Sequence, residues 1–162
     1  MVHRLREPKA TALIFVTGSV VVTGTKSEAQ AELAAKTVAR GIKTALSNNK
    51  QIKFRDFAIQ NMVGMATVGF AIRLEGIHYG FGQFCSYEPE VFPGLVYRMF
   101  SEQAGRKTVF LIFVSGKVVV TGAKSQEQMN RDFQKIYHAV LKKFEKPPVQ
   151  GAGAAPGGSG GR

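Results

Sequence analysis

Most of the residues in this chain whose chemistry suggests a function are the cationic ones, lysine and arginine. Lysine and arginine number 22 against 11 aspartates and glutamates, which gives a formal net charge of +11. A charge of this size is the electrostatic footprint of a protein that binds a polyanion. Composition alone leaves DNA, RNA, an acidic membrane and an acidic protein partner open, and it also fits a protein that is merely basic.

The residue types needed for catalysis or metal binding are sparse. Cys85 is the only cysteine, so no internal disulfide can form, and its spacing from the three histidines fits no metal-ligand motif. No paired-carboxylate or Ser/His/Asp motif is evident, and Gly80-Phe81-Gly82 lacks the helix start that a phosphate-binding loop needs. We therefore predict no enzymatic activity, no metal and no cofactor, and we expect Cys85 to be buried.

One segment of the chain occurs twice. Residues 13–27 and 111–125 are identical at twelve of fifteen positions. Each copy has two apolar runs around a glycine-containing turn, and then a serine with a glutamine three residues later. This pattern predicts a β-hairpin, over 12–23 and over 110–121, and a capped helix that begins after Ser27 or Ser125.

Both helices are predicted to be amphipathic. Apolar residues recur at steps of three and four in the second helix, and form a weaker stripe in the first. The second stripe contains Met129, Phe133, Ile136, Val140 and Phe144, and the first contains Ala31, Leu33, Ala34, Val38 and Ile42. Helices that cover a sheet of hairpins give an α+β fold.

Strand alternation gives each hairpin two faces. One face carries Ile14, Val16, Val20 and Val22, with Ile112, Val114, Val118 and Val120 in the second copy. The other carries Leu13, Phe15, Thr17, Val21 and Thr23, with Leu111, Phe113, Ser115, Val119 and Thr121. A helix can cover only one face, so we predict that the other is an exposed binding surface; a sandwich or a dimer that covers both faces is the alternative.

Such a face on a basic protein suits the DNA minor groove, because sugar carbons line that groove and it offers few hydrogen-bonding groups. Several strings resemble the TATA-binding protein family, itself a standard example of minor-groove binding and kinking. They are Arg6–Lys9, the two repeated units, Asp56–Gly64, Ile72–Gly76 and Ser86–Met99, within a match from about residue 4 to residue 144.

The resemblance implies a pseudo-two-fold α+β saddle, with a curved antiparallel sheet on the DNA and helices on the convex face. It also implies a nuclear general transcription initiation factor. Such a factor binds the minor groove of TATA-box promoter DNA, bends it and nucleates preinitiation-complex assembly.

The resemblance also implies roles for individual residues. Phe92, Phe113 and Phe15 match aromatic wedges, and Asn61 and Val63 match the strand that reads the middle base pairs. The residues that match contacts along the groove floor are Leu13, Leu111, Val21, Val119, Thr23 and Thr121. Two further expected DNA-binding residues are Thr17 and Ser115. Phosphate contacts match Arg98, Lys117, Lys124, Arg4 and Lys26. From the residues alone, Phe15 and Phe113 also fit strand core, Asn61 a bridge between strands and Lys117 a solvated turn.

Protein partners follow from the same resemblance. Glu88 and Glu90 are expected to face general transcription factor IIB, and Lys36, Arg40 and Lys43 to form a basic surface used by regulators. Factor IIA and TBP-associated factors are further expected partners. A membrane is not an expected partner, because the longest apolar run, Val109–Val114, is too short to span one.

The first repeat departs from the family pattern. The chain has no counterpart of 51–98 ahead of residue 1, so we expect a partial repeat over 1–50, a complete one over 51–146 and a disordered Gly/Ala/Pro tail over 147–162. The missing strand is expected to leave a sheet edge unpaired, which favours self-association. A fragment or mis-started gene model is favoured over a short relative. Smaller departures are Ser19, Ala71 and an insertion at 101–106.

Two other functions stay open on sequence grounds. One is a module that binds factor IIB or regulators with little DNA binding, as a truncated paralogue or fragment would. The other is a helix-on-sheet domain that encloses an apolar ligand.

Overall fold

The computed structural model describes residues 1–46, 52–101 and 105–147. The chain divides into two compact units, residues 1–59 and 60–162. The predicted domain boundary at 50/51, the predicted tail beyond Pro147 and the centre of the insertion at 101–106 lie outside the described residues. The α+β class is confirmed, because antiparallel sheets and α-helices occur in the same chain.

Unit 1 is a three-stranded antiparallel sheet with one helix. The strands are β1 (Val2–Leu5), β2 (Ala10–Ile14) and β3 (Val20–Thr23), in that order in the sheet, and the helix is α1 (Glu28–Ala45). Its buried side chains are small: Ala10, Ala12, Ala31, Ala34, Ala35 and Val38. Leu33, predicted in the apolar stripe of α1, is 49% exposed, and Ala35 is buried instead.

Unit 2 is a five-stranded antiparallel sheet with two helices. The strands are β4 (Met62–Thr67), β5 (Cys85–Ser86), β6 (Leu95–Ser101), β7 (Arg106–Ile112) and β8 (Lys117–Ala123), in the sheet order β4-β8-β7-β6-β5. The helices are α2 (Leu74–Phe81) and α3 (Gln126–Ala139), and a 3-10 turn covers Leu141–Phe144. The core joins one face of the sheet to these helices through Leu74, Ile77, Leu95, Phe110, Ile112, Val118, Ile136 and Leu141.

Both predicted helix starts are confirmed. The Ser27 hydroxyl accepts a hydrogen bond from the Gln30 N–H at 3.2 Å, and the Ser125 hydroxyl accepts one from the Gln128 N–H at 3.2 Å. The glutamine side chains reach back one residue further than a capping box requires, since each accepts from the N–H of the lysine before the serine. The repeated sequence therefore builds the same local start twice.

The predicted apolar stripe of α3 extends past the helix. Ile136 and Val140 are buried, while Phe144 lies in the 3-10 turn and is half-buried. The sequence pattern did not predict a polar contact that lies beside this stripe in the core. There the Thr108 hydroxyl donates to the Asp132 carboxylate at 2.6 Å. Both side chains are almost fully buried.

The prediction that Val16 and Val114 lie on the core face is wrong. They are 108% and 38% exposed, because β2 ends at Ile14 and β7 at Ile112, two residues before the predicted ends. A tight turn follows, closed in the second copy by the Gly116 N–H, which donates to the Phe113 carbonyl at 2.9 Å. Strand alternation does not continue into a turn, so it places no side chain there.

Within the described residues, no helix is both long and apolar enough to cross a membrane. The same residues contain no group of three or more metal-ligating side chains. Cys85 is buried, as predicted, and its thiol lies 3.3 Å from the carbonyl oxygen of Phe81.

Candidate nucleic-acid interface

The face of the unit 2 sheet opposite the helices carries two rows of side chains that cross the strands. The register places Val63, Thr121, Val109 and Arg98 side by side in one row, and Met65, Val119, Leu111, Val96 and Ser86 in the other. Directly paired residues in an antiparallel sheet share a face. On this face Val63 and Met65 are 65% and 85% exposed, and Ser86 and Arg98 are exposed as well.

Asn61 lies at one end of this face and is held by a bulge in β8. The register jumps between Met62 and Val63, so Gly122 is an extra residue opposite them and has a φ of 95°. Its N–H donates to the Asn61 Oδ1 at 2.8 Å. A backbone N–H can only donate, so the amide orientation is fixed with the oxygen toward the bulge.

The fixed orientation of the Asn61 amide decides what it offers a ligand. The Oδ1 also lies within 3.3 Å of the Thr121 hydroxyl, and the Nδ2 is 3.2 Å from the same hydroxyl. An amide nitrogen has two hydrogens, so at least one N–H stays available on an exposed side chain. Sequence reasoning offered a strand bridge and a ligand contact as alternatives, and the geometry allows Asn61 to serve as both.

Phe92 and Phe113 meet at the other end of the face. Their ring centroids are 5.7 Å apart with an interplanar angle of 67°, an edge-to-face pair of half-buried rings. Gly94 makes room for the pair: a Cβ there would lie 2.7 Å from the Phe92 Cε1 and 3.0 Å from the Phe113 Cε1. A hollow of ≈ 400 Å³ adjoins Phe113, lined also by Met65, Thr67 and Lys117.

The cations predicted to contact phosphates differ in how they are held. The Arg98 side chain is exposed and its Nη1 donates to the Ser86 Oγ at 2.9 Å, which fixes the guanidinium on the face. Lys117 is exposed at the first position of β8 and pairs with Thr67. Lys124 is half-buried directly after β8.

Unit 1 holds its predicted site residues on a smaller sheet. Leu13 pairs with Val21, and Thr11 with Thr23, as Leu111 pairs with Val119 and Val109 with Thr121 in unit 2. Phe15, Thr17, Val21, Thr23, Arg4 and Lys26 are all exposed. Phe15 is 50% exposed, and no other aromatic ring of the described residues stacks on it.

The residues predicted to bind protein partners are exposed in both units. Glu88 and Glu90 lie in the turn before Phe92, where the Glu88 carbonyl accepts from the Phe92 N–H at 2.9 Å. On α1, Lys36 pairs with Glu32 at 2.6 Å. A hollow of ≈ 270 Å³ beside it is lined by Lys36, Ala39, Arg40, Lys43, Ile52 and Phe54.

Sequence reasoning missed several residues of the unit 2 face. Met65, Val96 and Val109 lie on it, and each could have been found by extending the alternation in steps of two, from Val63, Arg98 and Leu111 respectively. The bond between Arg98 and Ser86 had no signal in the sequence, since it depends on how β5 and β6 pair.

Two titratable groups lie on the opposite side of the sheet. Burial raises the pKa of the Cys85 thiol above its usual 9.0. Burial, and to a smaller extent the neighbouring Cys85, raises the pKa of the Tyr97 hydroxyl above its usual 10.0. Both shifts favour the neutral form, which suits a core and not a reactive site.

Comparisons with known proteins agree on one family. A family model described as "Transcription factor TFIID (or TATA-binding protein, TBP)" matches residues 1–45 and 56–144. TATA-box-binding proteins of Candida albicans and Saccharomyces cerevisiae are 52% and 51% identical over 146 residues, or 90% of this chain, but this chain spans only 58% of either protein. The solved structure of Methanococcus jannaschii TBP matches with a TM-score of 0.73 at 39% identity, over 89% of this chain and 80% of that one.

Proposed function

The chain belongs to the TATA-binding protein family, and we propose that it is a general transcription initiation factor whose unit 2 face binds the minor groove of A/T-rich promoter DNA. The family is one of DNA-binding transcription factors and not of enzymes, as the sequence predicted. The observation that carries the proposal is the Asn61 amide, oriented by the Gly122 N–H so that its Nδ2 is available on an exposed apolar face.

The chemistry of the minor groove fits this face. An A·T pair presents only acceptors there, the adenine N3 and the thymine O2, whereas a G·C pair adds the donor of the guanine amino group. An N–H donor from Asn61 suits the first pattern and conflicts with the second. The neighbouring Val63, Val119 and Leu111 have no groups that hydrogen-bond, and they fit the sugar walls and the groove floor.

Bending of the DNA is the second part of the proposal. Apolar wedges that enter a base step from the minor groove unstack it and bend the duplex. The pair of Phe92 and Phe113 presents two rings at one end of the face, 5.7 Å apart. Arg98 and Lys117, both exposed near the edges of the face, would approach the phosphates that flank the groove.

The proposal also includes specific protein partners. We propose that Glu88 and Glu90, exposed beside the aromatic pair, contact factor IIB. Factor IIA, TBP-associated factors and other regulators are proposed partners of the basic hollow on α1, lined by Lys36 and Arg40. We also propose that the chain nucleates preinitiation-complex assembly on promoter DNA and acts in the nucleus.

The test is an isosteric substitution, Asn61→Asp. The aspartate keeps an acceptor for the Gly122 N–H, but it replaces the outward N–H donor by a second oxygen that repels the acceptors of an A·T pair. Because one good base contact discriminates by about 1–3 kcal/mol, we expect binding to a TATA duplex to weaken about tenfold or more. Fluorescence anisotropy with TATA and G/C-rich duplexes measures this at fixed salt.

Asn130→Asp is the matched control, since it makes the same charge change on an exposed position of α3. It should lower binding to both duplexes equally and slightly. If Asn61→Asp binds the TATA duplex as well as Asn130→Asp does, the proposed role of the amide is wrong.

A further inference from the structure

The outer edge of β4 is unusual for an exposed strand edge. No strand of the described residues pairs with it, and its six residues, Met62–Thr67, include no charge and no proline. Natural edge strands are commonly blunted by lysine, by proline or by a bulge that twists them away. Here the only register shift along β4 comes from the bulge in the neighbouring β8, opposite Met62 and Val63, so the strand from Val63 onward is regular.

The hydrogen-bond pattern shows which backbone groups point to this edge. The Val68 N–H donates to the Gly116 carbonyl at 3.0 Å, so position 68 faces β8. In an antiparallel pair, alternate residues direct both backbone groups to the same neighbour. Val63, Met65 and Thr67 therefore direct their N–H and C=O groups away from β8, toward the open edge.

The other strand edges suit pairing less well. β1 contains His3 and Arg4, which would oppose cations of a partner, and β3 and β5 have only four and two residues. β4 alone combines six residues with no charge, which matters for a chain whose net charge is +11. Two copies can approach at this edge without opposing cations on the paired strands.

We infer that β4 pairs antiparallel with β4 of a second copy about a two-fold axis, and that two unit 2 sheets thereby form one continuous sheet. The register that pairs all three outward residues of each strand sets Met65 opposite Met65, and Val63 opposite Thr67 of the other copy. It completes the ladder with six hydrogen bonds. Val63 and Met65 lie on the exposed face, so the face continues across the new pair.

What this pairing means for DNA binding rests on the proposed function. A continuous two-copy face carries two Asn61 amides and two pairs of Phe92 and Phe113 on one surface. Two-fold protein dimers bind two half-sites of a duplex, because their symmetry matches that of palindromic DNA. The expected complex therefore has two chains on one A/T-rich duplex.

Met65→Pro tests the pairing. Proline removes an N–H that β8 does not use, and proline is tolerated at solvent-facing positions of edge strands. The Met65 pair loses both of its hydrogen bonds, so the dimer should weaken at least about 30-fold. Met65→Ala is the matched control, because it removes the side chain and keeps the N–H.

Sedimentation equilibrium reports the result, with circular dichroism to show that each variant is folded. The parent chain and Met65→Ala should have twice the 17.6 kDa mass of one chain at micromolar concentration, and folded Met65→Pro the mass of one. A parent chain that stays at one mass, or a Met65→Pro variant that dimerises as Met65→Ala does, would overturn the inference.

Cysteine substitutions test the register, in a parent chain whose single Cys85 is buried. Cα atoms of a hydrogen-bonded antiparallel pair lie about 5.5 Å apart, within the range of a disulfide. Met65→Cys should therefore form a covalent dimer on mild oxidation, while Val63→Cys should not. Cross-linking of Val63→Cys in place of Met65→Cys rejects this register.

Different results would refute the proposed function and the proposed β4 pairing. A dimer without preference for A/T-rich DNA refutes the proposed function and leaves the pairing intact. One chain per TATA duplex, with the preference kept, refutes the pairing and leaves the function intact.

Discussion

Gly94→Ala should weaken DNA binding more than it weakens the fold. A Cβ at this position would lie 2.7 Å from the Phe92 Cε1, 3.2 Å from its Cζ and 3.0 Å from the Phe113 Cε1. The distance of 2.7 Å is too short for two carbon atoms and the other two distances are tight, so the Phe92 ring at least must move. The edge-to-face geometry of the pair is then lost.

The loss of stability depends on which of the crowded atoms can move. Overpacking a closed core costs about 1–3 kcal/mol. Here the contacts are ring edges, and both rings are half-buried, so they can rotate toward solvent. We expect a loss of about 1 kcal/mol in the free energy of unfolding, since the aromatic pair itself contributes about 0.5–1.5 kcal/mol. Binding to a TATA duplex should fall about tenfold, because displaced rings no longer meet a base step.

The assay compares Gly94→Ala with Gly80→Ala, the same chemical change in the same unit. A Cβ at Gly80 would lie 3.5 Å from the Phe144 Cζ, an ordinary contact, and Gly80 is in α2, where alanine is favoured. Denaturant unfolding followed by circular dichroism gives the stabilities, and anisotropy gives the affinities. Equal affinities for the TATA duplex in the two variants would show that the position of the rings does not matter.

Two further predictions concern the core of unit 2. Thr108→Val removes the hydroxyl that donates to the buried Asp132 carboxylate while it keeps the side-chain shape, so unfolding in denaturant should show a loss of about 1–3 kcal/mol; a change below about 0.5 kcal/mol would mean that water replaces the contact. The free energy of unfolding should be level to about pH 9 and then fall. The folded state holds the Cys85 and Tyr97 protons above their usual pKa values of 9.0 and 10.0, whereas the unfolded chain releases them there. Urea titrations from pH 7 to pH 10.5 check this, and Cys85→Ala should reduce the fall.

Local features were the easiest to predict from the sequence. Both serine caps depend on residues within four positions of each other, and the structure confirms them. The buried face of the second hairpin was also predicted at Ile112, Val118 and Val120. The predictions failed where a strand ended early, as at Val114, because a turn removes the alternation on which they depended.

Features built from distant parts of the chain could not be predicted in the same way. The contact between Asn61 and Gly122 joins residues 61 positions apart, and it needs both a bulge and a glycine with positive φ. The pair of Thr108 and Asp132 joins a strand to a helix. The resemblance named Asn61, but only the fold shows why its amide has one orientation. The DNA contacts and the saddle arrangement of the repeats stay predictions.

The two copies of the repeat show that neighbours, and not local sequence, decide what a strand buries. Ile112 and Val118 are fully buried, whereas their counterparts Ile14 and Val20 are only half-buried. In unit 2 the hairpin has β4 on one side and β6 on the other, and the Ile72 N–H donates to the Val114 carbonyl at 3.0 Å. In unit 1 no described strand lies beyond β3. The same sequence therefore forms a core strand in unit 2, where α2, α3 and the 3-10 turn pack large side chains against it, and a partly exposed strand in unit 1, where the buried residues of α1 are three alanines and one valine.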